Sequence, residues 1–239
     1  MVVVAVVWLL GFGYAERFRT EPAVTYPKES SDIALAPKGK CFSTATIVLL
    51  LLIGLLLAMQ GALRDGVMTW VPSYLSNTFS VGTTLSIFCT TVLPVVNLVG
   101  VQAAGILNGK FRFNELQISC IFFGTASVAA LVMMLLSGSS LFLSVVMFSV
   151  ITSSMMGVNI MLVSFVPTYF VQWGKVSFVS GLVNSMVYIG SSIATYGIGA
   201  IADAFGWGVL LMALFSITLL GIILCLVTAP KWKRFLSDC

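Results

Sequence analysis

Six apolar stretches, at residues 42–75, 83–107, 117–136, 141–166, 178–201 and 207–229, follow one another through a chain of 239 residues with short connections between them. A helix needs about 20 mainly apolar residues to cross a bilayer core of roughly 30 Å, and these stretches are of that order. A water-soluble fold would leave most of this surface exposed, since 59% of the chain is hydrophobic and only 8% is charged. The stretches therefore predict a polytopic, all-α membrane protein. Lipid offers the backbone no hydrogen bonds, so each crossing segment must satisfy its own amides, as a helix does.

The connections carry a second pattern. The polar segment 14–41, with Pro22, Pro27 and Pro37, holds Arg17, Arg19, Lys28, Lys38 and Lys40. The connection after the second stretch holds Lys110 and Arg112, the one after the fourth holds Lys175, and the tail holds Lys231, Lys233 and Arg234. The alternate connections, at 77–82, 137–140 and 202–206, contain no Lys or Arg. Eleven of twelve basic residues thus fall on one side. Positive residues accumulate in short cytoplasmic loops, so the pattern predicts a multi-pass protein of the cell membrane with linker and carboxy-terminus in the cytoplasm. The net charge of +4 belongs to this topology, and the expected partner is a lipid bilayer, with no nucleic acid.

Residues 1–13 are apolar but short, with no preceding basic region and no small-x-small cleavage site after them, so they read as the end of a membrane helix and not as a signal peptide. The expected organisation is a partial transmembrane helix at 1–13, a cytoplasmic linker at 14–41, a six-helix bundle at 42–229 and a cytoplasmic tail at 230–239. The chain has five cysteines without a CxxC pair and no histidine. No metal, cofactor or enzymatic activity is expected from such a set. Met155, Met156 and Met161 read as packing residues.

Arg64 interrupts the first stretch and is followed at once by Asp65, in the run Gln60-Gly61-Ala62-Leu63-Arg64-Asp65-Gly66. A charged residue at bilayer depth costs at least about 2.5 kcal/mol on insertion scales, so by default it faces a cavity or a partner. Guanidinium presents a planar donor fork that matches phosphate. Two readings stand: a phosphate-binding arginine, or one that snorkels to the outer interface or pairs with an acidic residue. From Lys40 a straight helix would carry Arg64 roughly 36 Å, to the far headgroups. A long, tilted helix bent at Pro72 would hold it deeper, because proline clashes with the carbonyl four residues back, here Met68.

Ser180, Asn184, Tyr188, Ser191 and Thr195 recur at intervals of three and four, which aligns them on one helical face. That face reads either as the lining of an aqueous substrate path or as interhelical hydrogen bonding, helped by Gly181, Gly190 and Gly197. Asn159, midway along another stretch, either lines the same cavity or clamps two helices, since an unpaired amide there would be costly. Asn97 and Gln102 give weaker signals of the same kind.

The run Leu63-Arg64-Asp65-Gly66-Val67-Met68-Thr69-Trp70-Val71-Pro72-Ser73-Tyr74-Leu75 resembles the first helix of the second half of organophosphate:phosphate antiporters, members of the major facilitator superfamily that include the glycerol-phosphate and hexose-phosphate transporters. Phe165-Val166-Pro167-Thr168-Tyr169-Phe170 is similar too, as is the region from Gly181 through Gly190 to Ile201-Ala202-Asp203-Ala204-Phe205-Gly206-Trp207. The resemblance spans approximately residues 44–229. It implies the six-helix carboxy-terminal half of a major facilitator superfamily fold, preceded by a partial helix, with substrate held between two halves near the midplane. It also implies that Arg64 is one of two arginines that grip phosphate. The second belongs to the first helix of an amino-terminal half, which would be a missing partner of this chain. Asp65 is not part of the family's phosphate-binding set, and the run from Gly105 to Arg112 echoes the superfamily's basic loop motif only loosely.

The expected function is secondary transport of small phosphorylated organic anions by exchange with inorganic phosphate, with Arg64 on the phosphate and Asn159, Asn184 and Tyr188 on the rest of the substrate. Two alternatives belong to other classes: a transporter-like membrane sensor of phosphate esters, and a truncated fragment that inserts without transporting.

Overall fold

A computed structural model describes residues 43–111 and 113–237 of the chain. The helix expected at 1–13 and the linker at 14–41 lie outside the described residues, as do Arg112 and the last two residues of the tail. The described residues are all-helical and include no strand. Helix α1 (Thr44–Gly61) runs through a π-helical turn (Ala62–Gly66) into α2 (Val67–Phe79). Then follow α3 (Thr83–Thr90), α4 (Val92–Phe111), α5 (Glu115–Leu135) and α6 (Leu141–Asn159). A second π turn (Ile160–Phe165) and a 3-10 segment (Val166–Trp173) lead to α7 (Val176–Ser237).

Five continuous helices are long and apolar enough to cross a membrane, as a multi-pass membrane protein requires. They are apolar on their outer faces as well as their inner ones. In α1, Ile53, Leu56 and Leu57 are buried while Ile47, Val48, Leu51 and Leu55 stay 42–56% exposed. An outward apolar face of this size fits lipid, not water.

The two helices predicted at 178–201 and 207–229 follow each other without an intervening loop in the 62-residue segment designated α7, and they meet at Gly206. Straight, the segment would be about 93 Å long, some three bilayer cores. Gly206 breaks it, with φ 81° and ψ 170°. Only glycine adopts that region without strain. The chain reverses there: Phe235, near the end of α7, stacks on Phe170 with ring centroids 5.5 Å apart and lies 5.9 Å from Trp173, just ahead of the helix start. The two limbs, 176–205 and 207–237, thus account for the fifth and sixth stretches. The second limb continues through Pro230 to Ser237, past the expected end of the bundle at 229. Pro72 likewise sits inside a continuous α2. A departure from regular α-helix lies upstream of it, in the π turn that holds Arg64.

Two sets of contacts define the ends of the bundle. Glu115 joins Tyr169 and Trp232, which draws together the connections that hold Lys110, Lys175, and Lys231, Lys233 and Arg234. Tyr74 meets Ser137 at 3.2 Å and packs edge-on against Phe79 and Trp207. This gathers the turns at 80–82, 136–140 and 206 at the other end. Among the described residues, the connections that hold Lys110, Lys175 and the tail cations therefore lie at one end and those without Lys or Arg at the other.

Close backbone approach fixes the helix pairs between these ends. A Cβ on Gly61 would overlap the Val187 carbonyl, and one on Gly190 would overlap the Ala58 carbonyl, so α1 and the first limb of α7 touch main chain to main chain. Gly100 of α4 meets the Ser153 carbonyl of α6 in the same way, and the Ser153 hydroxyl donates to the Val96 carbonyl at 3.0 Å. Without a hydrophobic drive between helices in lipid, such small-residue contacts are what holds them together.

Candidate functional site

Along α1 the buried positions Leu49, Ile53, Leu56 and Leu57 lead to Gln60, which is fully buried. At 100° per residue, Gln60 lies roughly opposite the exposed apolar edge formed by Ile47, Val48, Leu51 and Leu55. The helix then passes into the π turn, which carries Arg64 and Asp65. Adjacent residues on an α-helix diverge. Here they meet: Arg64 Nε donates to Asp65 Oδ1 at 2.6 Å and Nη2 to Asp65 Oδ2 at 2.9 Å, with the side chains 16% and 29% exposed. The pairing alternative read from the sequence is thus realised, with a partner that is the next residue.

The third nitrogen, Nη1, reaches Met156 Sδ at 3.8 Å, a weak acceptor. One turn away, Asn159 Nδ2 donates to Gln60 Oε1 at 3.3 Å. The helices run past each other so that 60 faces 159 and 64 faces 156. Met156 stands near the middle of the helix Leu141–Trp173, and Arg64 is interior to Thr44–Phe79. The arginine therefore lies near the middle of the length of both helices.

Both π turns of the described chain adjoin this cluster, since Ala62–Gly66 contains Arg64 and Asp65 and Ile160–Phe165 begins directly after Asn159. Such turns are rare and frequent at functional sites. The cluster is also polar beyond its internal needs. Gln60 Nε2 has no partner, nor has the nearby buried Asn97 Oδ1, whose amide nitrogen makes only a 3.7 Å contact to Met68 Sδ. Each unmatched buried group costs about 1–3 kcal/mol. Gln60 was missed in the sequence because an amide at a helix end carries no distinguishing pattern.

The other two expected residues lie apart. Asn184 and Tyr188 are exposed, Tyr188 at 60%, and among the described residues neither bonds to Arg64 or Asn159. Their helix nevertheless has three distinct faces. Val179, Val183, Val187 and Gly190 are buried, and Phe178, Ile189, Ile193 and Tyr196 form an exposed apolar face. The polar stripe lies roughly 140° around from that apolar face. Trp70 Nε1 donates to the Thr195 carbonyl at 2.7 Å at its end.

A second polar centre, at the basic end, was not anticipated. Glu115 is 4% exposed and accepts from Tyr169 Oη at 2.6 Å and Trp232 Nε1 at 3.0 Å. It opens α5 behind Asn114, whose amide donates to the Gln117 side chain at 3.1 Å in a capping box. A carboxylate in the first helical turn is favoured by the backbone dipole. The signal in the sequence is Asn114-x-x-Gln117, but the two donors are 54 and 117 residues away. Glu115→Ala strands two donors and is expected to lower stability by about 3 kcal/mol, while Glu115→Gln, which keeps an acceptor, loses less. Thermal unfolding in detergent measures both.

A cavity lined by Trp70, Tyr74, Phe148, Ile198, Trp207 and Leu211 lies at the opposite end and offers no charge to an anion. Among the described residues no group of three or more metal-ligating side chains occurs. No protein-family model matches the chain, and no curated protein matches its sequence.

Proposed function

We propose that the chain is the carboxy-terminal half of a secondary transporter of small phosphorylated anions, exchanged against inorganic phosphate. The observation that carries this reading is Arg64, a guanidinium midway along a long apolar helix, held in one π turn with the amides of Gln60 and Asn159 beside it and a second π turn following Asn159. A charge held there without a task would be selected against by its insertion cost. The resemblance of residues 63–75 to organophosphate:phosphate antiporters supports the same substrate class.

On this reading a dianionic phosphate takes the Arg64 fork, with Asn159 and Gln60 beside it. The polar face with Asn184 and Tyr188 borders the path and meets an amino-terminal half that supplies the second cation. Alternating access is rocking of the halves around the site, and exchange follows from differential binding to the inward and outward states. The basic end faces the cytoplasm.

The test is counterflow. Proteoliposomes of the full-length gene product, loaded with inorganic phosphate, are expected to accumulate labelled hexose phosphate, and unloaded vesicles are not. Binding of hexose phosphate without counterflow would contradict transport and favour a membrane sensor.

A further inference from the structure

The Arg64 fork is occupied by its own neighbour. Asp65 takes Nε and Nη2 through both carboxylate oxygens, the two-pronged arrangement that a phosphate would use. Residues 64 and 65 leave the helix in diverging directions, and the length of the Arg64 side chain lets it turn back onto its neighbour. Among the described residues no other side chain bonds to the Asp65 carboxylate.

We propose that Asp65 is a tethered competitor that sets the charge a substrate must bring. This rests on Arg64 being the phosphate site. Asp65 offers one negative charge at the high effective concentration of an adjacent residue. A monoanion gains no charge by replacing it and must also overcome the tether. A phosphate monoester, with close to two charges near neutral pH, displaces it by stronger attraction. Asp65 thereby selects phosphate monoesters and inorganic phosphate over phosphodiesters and carboxylates. When the site is empty, the same carboxylate neutralises Arg64 and spares the bundle an unpaired cation.

These two roles pull in opposite directions, which gives the test its signature. In proteoliposomes of the full-length gene product, Asp65→Asn is expected to lower the half-saturating concentration of inorganic phosphate by about tenfold. It should shrink the preference for glycerol phosphate over its methyl diester, measured as inhibition of labelled phosphate exchange, while lowering thermal stability in detergent. Asp65→Glu, which retains a carboxylate, should keep most of the preference. If Asp65→Asn does not reach the membrane, Asp65→Ser is read by the same ratio. An unchanged or higher half-saturating concentration with unchanged preference, while Arg64→Lys loses exchange, would overturn the competitor role and leave Arg64 in place. Full exchange by Arg64→Lys would instead overturn the arginine site and the competitor with it.

Discussion

Gly190→Ala is expected to cost about 3 kcal/mol or more. The added carbon would overlap the carbonyl of Ala58, and Gly61→Ala would meet the carbonyl of Val187 across the same interface. Neither obstacle is a side chain that can turn away. Relief requires α1 to move off the first limb of α7, which opens the contact along Gly54, Gly61 and Gly190 as a whole. Gly181→Ala and Gly197→Ala are the controls, because a Cβ at either position has no neighbour within 4 Å. Melting temperatures in detergent should fall sharply for the first pair and stay level or rise for the second. Equal behaviour of all four would contradict the close approach.

The prediction has a functional side. Gly61 immediately precedes the π turn, so the backbone contact that locks α1 against α7 also fixes where Arg64 emerges. A variant that folds with α1 displaced should retain its helices yet exchange poorly.

The same glycines show what the sequence makes legible. Apolar runs and alternating basic connections are properties of composition, so the helices and the two ends of the bundle could be read without any contact information. Gly206 was visible as part of a connection, and two helices do meet there, with a single residue as the break. Gly190, by contrast, read only as a small residue beside a polar stripe, because a carbonyl facing it from 132 positions earlier leaves no local trace.

The site divides in the same way. Arg64 was conspicuous as a charge among apolar residues, and Asn159 as an amide in the middle of an apolar stretch. The π turns were not legible, since a shift from four-residue to five-residue hydrogen bonding has no compositional signature. The two-pronged bond between Arg64 and Asp65 was not legible either, because adjacent residues on a helix diverge and only the fold of the long arginine side chain brings the two together. Glu115 failed to stand out for a different reason: beside a basic loop it resembles an ordinary first-turn carboxylate, and only the fold brings Tyr169 and Trp232 to it.

On the proposed transport function, Arg64→Lys is expected to have the largest functional effect. Lysine keeps the charge but replaces a planar fork by a single ammonium, so a phosphate loses its paired hydrogen bonds. A charge-assisted bond of this kind contributes about 2 kcal/mol, which is roughly 30-fold in affinity. Because Asp65 remains, the weakened cation must still be won from a carboxylate. Phosphate–hexose phosphate counterflow by the full-length gene product, wild type against Arg64→Lys at equal amounts of folded protein, tests this most directly. Exchange reduced by an order of magnitude or more, with melting temperature nearly unchanged, is the predicted result. Undiminished exchange by the lysine variant would contradict a phosphate-binding Arg64 and the transport reading built on it.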